Sequence, residues 1–599
     1  MILIFGGTTE GRLAVEVTEL AGKPYFYSTH DGIQQVNGMH GTFISGGMDT
    51  SAIVEYCEEK DIRLMIDAAH PFASALHQNI AEAATQLHLP VIRLERTYPP
   101  RDDKIIWCQN YDHAVQLLNT HHIDCLLALT GVKTITRLKE YWTQHECHFR
   151  ILDREASRKI LKDTGFPPSR ALLYRDEGKI DSLLSTLHPQ AILLKESGET
   201  GGFSDKVHSA MKQGIKVFAI ERPSLPSSFH TATGRFTLRR LIEQLLPDFF
   251  PLRSGITTGT CATAAAKAAL SSLLSQKEEH TVRITLPNNE EITLHAEHIQ
   301  YNERSATATV KKDAGDDPDV THGTSIVAKV TYASHPDIVI TGGEGVGRVT
   351  LPGLGIPVGE AAINPVPRKM IIQALRQLHQ GGLDVEISVP EGKELAKKTF
   401  NHRVGVVDGI SIIGTSGIVQ PFSNEAFIDA IRREVHVAVA SGTNHIVLNS
   451  GARSERIVKS HFPHLPAQAF VHYGNAIGEA LSIASQEGVQ TITIGLMIGK
   501  AVKLAEGHTD THSHKVLMNT VFLKSLATDA GCTADAVKQI EQLKMARDLW
   551  TMFDSKDARI FFTALLKKCH EHCLKCVTEP CSIQIMLISD EEKIEYTIP

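Results

Sequence analysis

Three segments near the start of the chain gather glycine, hydroxyl and charge in patterns that hold anions. Gly6-Gly7-Thr8-Thr9-Glu10-Gly11-Arg12 follows the apolar run Ile2-Leu3-Ile4-Phe5 and opens an amphipathic stretch. Glycines let backbone amides approach a phosphate, and a helix start adds partial positive charge. Thr8 and Thr9 add hydroxyl donors, and Arg12 adds a cation. The spacing is not the strict G-x-G-x-x-G of dinucleotide sites, so a bare tight turn uses the same residues almost as well. Asp67-Ala68-Ala69-His70-Pro71-Phe72 ends a second apolar run. Pro71 suits a first helical turn, which leaves His70 either structural or the proton donor of a cleft at the strand ends. Lys195-Glu196-Ser197-Gly198-Glu199-Thr200-Gly201-Gly202, with Lys206 beyond it, sets two cations around a glycine-rich nest that suits an anionic ligand.

A second group of segments lies past residue 250. Thr257-Thr258-Gly259-Thr260-Cys261 precedes an alanine-rich stretch over 262–270. The threonines read as a helix cap and as an anion site at its positive end. Cys261 reads as a small buried residue rather than a nucleophile. Lys311-Lys312-Asp313-Ala314-Gly315-Asp316-Asp317-Pro318-Asp319 holds four aspartates in seven residues. Such a loop is either solvated or compensated by a cation or several amides. Gly342-Gly343-Glu344-Gly345-Val346-Gly347 has the composition of a nucleotide cradle, and Asn364-Pro365-Val366-Pro367-Arg368 is stiffened by two prolines. Gly499-Lys500 and then His508, His512 and His514 follow. Cys569, Cys573, Cys576 and Cys581, with His570 and His572 between them, are spaced like no standard zinc module. A helical tail of reduced thiols is favoured there over a metal site.

The elements that must position these residues fall into two kinds. Over 1–222, short β-branched runs (1–5, 64–67, 91–94, 126–129, 191–194 and 217–220) alternate with amphipathic stretches such as 12–21 and 73–87. That order predicts an α/β half with two Rossmann-like parallel-sheet lobes facing a cleft. Residues 223–251 carry four prolines and read as the end of this half plus a linker, with a short helix over 238–246. Beyond 252 the pattern predicts an α+β region. At 599 residues the chain exceeds what one core fills, and the expected domains are 1–250 and 251–599. Net charge is −7, from 61 basic and 68 acidic residues. That argues against nucleic acid as the main partner, since phosphate binding needs a basic excess. No apolar run reaches the roughly 18–20 residues that span a bilayer, and the opening run reads as a strand rather than a leader. A cytoplasmic protein without a membrane partner is expected.

Taken together, GGTTEGR, DAAHPFA, Leu94-Glu95-Arg96, Thr130-Gly131, KESGETGG and Glu221-Arg222-Pro223 resemble the precorrin-6A reductase family (CobK/CbiJ type) over about 1–223. Ala69 and Thr97 depart from the family pattern without removing a chemical group. The ordered set TTGTCA, KDAGDDPDVTHG, GGEGVGRVTLPGLG, AINPVPR, GTSGIVQP, IGKAVKLA and THS resembles the cobalt-precorrin-5B (C1)-methyltransferase family (CbiD type) over about 252–530. The two resemblances imply a bifunctional enzyme of corrin (vitamin B12) biosynthesis, whose methylated product becomes the substrate of the reductase. They imply NADPH or NADH and S-adenosyl-L-methionine as cofactors, and carboxylate-rich tetrapyrroles as substrates. No acid ends the second strand near Tyr27-Ser28-Thr29, which favours the phosphorylated ribose of NADPH. On this reading Gly6, Gly7, Thr8, Thr9, Gly11 and Arg12 hold the nicotinamide cofactor, and His70 donates a proton. Arg96, Lys195, Ser197, Gly198 and Lys206 hold ring carboxylates. Asp313, Asp316, Asp317, Gly343 and Gly345 serve S-adenosylmethionine, while Thr257, Thr258, Lys312 and Arg368 hold the second ring. A short-chain-like reductase fused to an unrelated nucleotide-binding module, and a tetrapyrrole or cobalt carrier, are the competing readings.

Overall fold

The computed structural model describes residues 1–30, 32, 34, 36–174, 180–512 and 518–599. The chain divides into two compact units, Met1–Pro251 and Leu252–Pro599.

The first unit holds two six-stranded sheets, each parallel throughout. In the first the strand order is His230–Ala232, Val91–Leu94, Leu64–Asp67, Ile2–Phe5, Tyr25–Thr29, Gly41–Ser45. In the second it is Ile106–Cys108, Lys216–Ile220, Ala191–Lys195, Cys125–Ala128, Glu146–Leu152, Ala171–Tyr174. Central strands such as Ile2–Phe5, Leu64–Asp67 and Val91–Leu94 are buried along their whole length. A parallel sheet covered on both faces requires such continuous apolar runs. The six runs picked out from the sequence are all strands. The remaining six are shorter, more exposed or more polar, as in Gly41–Ser45.

Residues 223–251 are not a free linker. His230–Ala232 adds an edge strand beside Val91–Leu94, and helix Arg235–Leu245 packs on helix Thr9–Glu19. Ala232, Leu238, Ile242, Phe249 and Phe250 share one core cluster with Ile4 and Ile66. The chain here returns to the first sheet.

The second unit combines two architectures. Helix Thr258–Ser275, with fourteen buried residues, packs on a five-stranded sheet ordered Glu297–Tyr301, Ser305–Lys311, Ser325–Tyr332, Leu383–Ser388, Ile338–Gly342. A helix apolar on every side must be buried, and its alanines let the strands approach closely. The sheet is antiparallel except where Ile338–Gly342 runs parallel to Leu383–Ser388. A further sheet is mostly parallel, ordered Phe470–His472, His445–Asn449, Thr491–Met497, Ser582–Ile588, Ile594–Ile598, and only the last strand is antiparallel. This α/β layer was not separated from the mixed region by the sequence pattern.

The cysteine tail is part of that layer's core. Cys569 and Cys573 lie on helix Ser555–Leu574 with no exposed surface, and Cys569 Sγ donates to the Ala501 carbonyl at 3.2 Å. Burial pushes both thiols up, away from the thiolate a metal needs. Among the described residues, the tail forms no cluster of three donors around one point.

Candidate functional site

The carboxyl ends of the two sheets in the first unit bring its candidate residues together. After Phe5 the chain turns at Gly7 (φ +91°), and Thr8 caps helix Thr9–Glu19 by accepting from the Gly11 amide. Its hydroxyl also donates to the Ala68 carbonyl at 2.6 Å. Gly6 and Gly11 are glycine because Tyr27 packs beneath them; a Cβ at Gly6 would fall 2.2 Å from its ring. A side chain at Gly7 meets open space, and Thr9 and Arg12 are exposed beside it. The Gly7 amide donates to the Gln34 carboxamide oxygen at 3.0 Å, while Gln34 Nε2 donates to the Thr8 carbonyl. A carboxamide oxygen thus stands where a phosphate oxygen would accept, and the loop fits a nucleotide phosphate. The second strand ends at Thr29; residues 31, 33 and 35, just beyond, lie outside the described residues.

The His70 turn is held by a buried ionic network absent from the sequence reading. Asp67, fully buried, accepts from Arg93 Nη1 at 3.0 Å and lies 2.6 Å from His77 Nδ1. Arg93 also donates to the Ala69 carbonyl, and His77 Nε2 meets the His70 carbonyl at 3.2 Å. His70 itself is exposed. Its Nδ1 accepts from the Phe72 amide at 3.2 Å, which leaves the N–H on Nε2. The surrounding protein, then the Arg96 and Lys195 cations, push the imidazole down to about 4. His70 is therefore neutral near pH 7 and offers a hydrogen bond rather than an imidazolium proton.

The second lobe contributes Lys195, the last residue of its strand. Its ammonium lies 5.2 Å from the Phe72 ring centre, and it forms no ion pair among the described residues. Burial, then Lys133, holds it down at about 8. A half-buried cation without a carboxylate is costly unless a ligand supplies one.

Arg96 does not stand ready for substrate, contrary to expectation. It is buried, its Nη1 donates to the Ser197 carbonyl at 2.8 Å and its Nη2 pairs with Glu10 at 3.0 Å. Thr200 donates to the same Glu10 at 2.7 Å. Burial alone would raise the Glu10 carboxyl, but Thr200 and Arg96 hold it below its ordinary range. These bonds tie the lobes together beneath the cleft. Gly198 (φ +74°) packs on Arg96, Ser197 turns back to the Gly201 carbonyl, and Lys206 donates to that carbonyl too. The loop is built around Arg96, and Lys195 is the cation it leaves over.

In the second unit the expected site residues are used internally. Thr257 caps its helix by accepting from Thr260 N. Thr258, buried, exchanges bonds with the backbone of Ile413. Asp313 is doubly bonded to Arg253, Asp316 accepts from the Arg253 amide, and Asp317 accepts from the Phe422 amide. Asp319 pairs with buried Lys312 at 2.6 Å. Arg368 binds the carbonyls of Ile363 and Ile340 and pairs with Glu360. A Cβ on Gly343 would lie 2.2 Å from Ser388 Oγ, and one on Gly345 1.9 Å from the Val389 carbonyl. These glycines permit close packing rather than ligand approach. Asp317→Asn keeps an acceptor for Phe422 and is expected to change stability by less than about 0.5 kcal/mol; a clearly lower melting temperature would refute this assignment. Ser513 and His514 of the THS segment lie outside the described residues.

Two families divide the chain much as the two units do, an oxidoreductase family followed by a methyltransferase family. Residues 1–240 match the family described as precorrin-6x reductase CbiJ/CobK, residues 247–421 match CbiD, and residues 510–597 match the CbiD C-terminal domain. A cobalt-precorrin-5B C(1)-methyltransferase of Priestia megaterium is 43% identical over 333 residues, covering 55% of this chain and 90% of that protein. One from Prosthecochloris aestuarii is 44% identical over 331 residues, 54% of this chain and 90% of that protein. Among solved structures, the CbiD of Archaeoglobus fulgidus is 29% identical with a TM-score of 0.25, covering 44% of this chain and 83% of its own. A CobK precorrin-6A reductase is 21% identical with a TM-score of 0.34, covering 41% and 97%. The chain belongs to the cobalt-precorrin-5B C(1)-methyltransferase (CbiD) family and carries a CbiJ/CobK reductase domain ahead of it, a fusion of cobalamin biosynthesis.

Proposed function

We propose that Leu252–Pro599 transfers a methyl group from S-adenosylmethionine to carbon 1 of cobalt-precorrin-5B, and that Met1–Pro251 then reduces the resulting (cobalt-)precorrin-6A to the 6B form with NADPH or NADH. The nicotinamide cofactor, when bound, supplies the hydride, and S-adenosylmethionine supplies the methyl group. The observation that carries the reductase half is the Lys195 ammonium, without an ion pair among the described residues, beside neutral His70 at the strand ends next to the Gly6–Arg12 turn. Ring carboxylates meet the Lys195 cation, which holds the substrate as a charge-assisted pair. His70 donates a hydrogen bond from Nε2 to the ring or its side chains. Its neutrality adds no second positive charge beside Lys195. Thr9, Arg12 and the Gly7 amide replace the Gln34 carboxamide with cofactor phosphate.

Cobalt-precorrin-5B and S-adenosylmethionine, then NADPH, added to the full chain should give two successive absorbance changes. A spectral shift on adding the ring alone, with no further change, would instead mark a carrier. Gly7→Val forces a β-branched residue into positive φ, costing about 1–3 kcal/mol of strain, and sets its side chain where phosphate lies. NADPH is expected to bind at least about tenfold more weakly, with methyl transfer unchanged. Unaltered NADPH affinity would place the cofactor elsewhere.

A further inference from the structure

The mostly parallel sheet of the second unit has a carboxyl edge that none of the groups above uses. From His445–Asn449 the chain passes through helix Ala452–His461 to Phe470–His472 on one side. It then returns through helix Ile477–Gln486 to Thr491–Met497 on the other side of the first strand. The reversal makes a topological switch point between Asn449 and Met497. Connections diverge there, and open α/β sheets bind ligands in the resulting crevice.

Three observations point to a ligand. Asn449 has no exposed surface, its Nδ2 donates to the Val447 carbonyl, and its Oδ1 has no hydrogen-bond partner among the described residues. Gly495 pairs with it across the strands and leaves room for it; a Cβ there would sit 3.1 Å from that oxygen. Tyr473 is also wholly buried, with its hydroxyl beside the Ser450 side chain at the same strand end. Buried polar groups are seldom left unpaired without a functional reason. Lys500, in the first turn of helix Ile498–Glu506, lies over the Tyr473 ring at 5.2 Å. It donates to the Gly474 carbonyl and, at 2.8 Å, to Asn475 Oδ1, and forms no ion pair among the described residues. Burial, then Lys503, hold it down at about 8 against the weaker opposing pull of Asp510. Gly451 and Gly499, at the two helix starts flanking the crevice, have open space where a Cβ would be.

We propose that this crevice binds S-adenosylmethionine, with Lys500 holding the α-carboxylate and Asn475 Oδ1 receiving the ammonium. The proposal rests on the reading of this unit as an S-adenosylmethionine-dependent methyltransferase. The cation and the acceptors beside it match a zwitterion. A tetrapyrrole fringed only with carboxylates has no use for the acceptors. The Asp313–Asp319 loop, by contrast, has its charges committed to Arg253, Lys312 and backbone amides.

The test is calorimetric titration of the full chain with S-adenosylmethionine and with S-adenosylhomocysteine, beside hydrogen exchange of the wild type with and without the latter. Lys500→Met is expected to weaken both ligands at least about tenfold, with NADPH-dependent reduction and melting temperature retained, and Asp317→Asn to leave them unchanged. New protection is expected at 449–454, 473–478 and 497–503. Should Lys500→Met fail to fold, the wild-type exchange map decides. Protection at 313–319 or 342–347 instead, or wild-type affinity in Lys500→Met, would overturn the location while sparing the methyl donor. A wild-type chain that binds neither ligand would overturn the donor reading itself.

Discussion

Replacing Arg93 with Met should strip about 3–5 kcal/mol from the first unit. Arg93 is 1% exposed and Asp67 0%. Removing the guanidinium leaves a buried carboxylate with His77 and the Ala69 amide as its remaining partners, and leaves the Ala69 carbonyl without its donor. Domains are stable by only about 5–15 kcal/mol, so the loss is a large share of the total. For a unit of this size each kcal/mol moves the midpoint by roughly 2–4 °C, so reductase activity is expected to be lost roughly 6–20 °C lower. Arg93→Lys keeps a charge near Asp67 but cannot reach Asp67 and Ala69 with one planar group, and falls between. Methyltransferase activity should survive to its usual temperature. Residual activities after graded heating check this; coincident reductase curves for wild type and Arg93→Met would show that the network carries no stability.

Lys195→Met is expected to lower kcat/KM for ring reduction roughly 10- to 150-fold, the equivalent of about 1.5–3 kcal/mol for a charge-assisted bond. NADPH affinity should change little. The same cation predicts the pH profile. Lys195 is held at about 8 in the free enzyme. The ammonium that binds carboxylates is therefore present below pH 8 and lost above it, and kcat/KM falls as pH rises through that value. His70, held near 4, stays neutral between pH 5 and 8 and adds no step there. Lys195→Arg keeps the charge and should flatten the alkaline fall, and Lys195→Met should abolish it along with the activity it governs. An alkaline limb that persists unchanged in both variants would belong to another group, and Lys195 would lose its role.

Much of the reductase half is legible in the chain itself. A run such as Leu64-Met65-Ile66-Asp67 is apolar until its last residue, and a strand buried on both faces requires this. The polar end marks where the chain leaves the sheet, which is where ligands bind. That logic singles out His70 and Lys195 as candidates. Arg93 carried a signal too, a lone charge inside Val91-Ile92-Leu94, since only a buried partner makes such a residue tolerable. Glu10 and Gln34 carried none, because their roles depend on groups brought near by folding.

The sequence by itself determined where strands end, where glycine allows a turn, which helices are buried on every side, and which two families the chain resembles. The strand ends, turns and buried helices follow from periodicity and composition within a few residues, and the resemblances from the ordered motifs. Only the tertiary structure decided which charges are spent and which are left for ligands. Arg96 meets a carbonyl 101 residues away, Glu10 a threonine 190 residues away, and Arg253 an aspartate 60 residues away. Within a few ångströms such a partner satisfies a charge, and across an unfolded chain it does nothing. Seen along the chain, Arg96 and Lys195 are equivalent cations. In the fold one is sealed between Glu10 and Ser197, while the other lies over Phe72 with no counter-ion among the described residues.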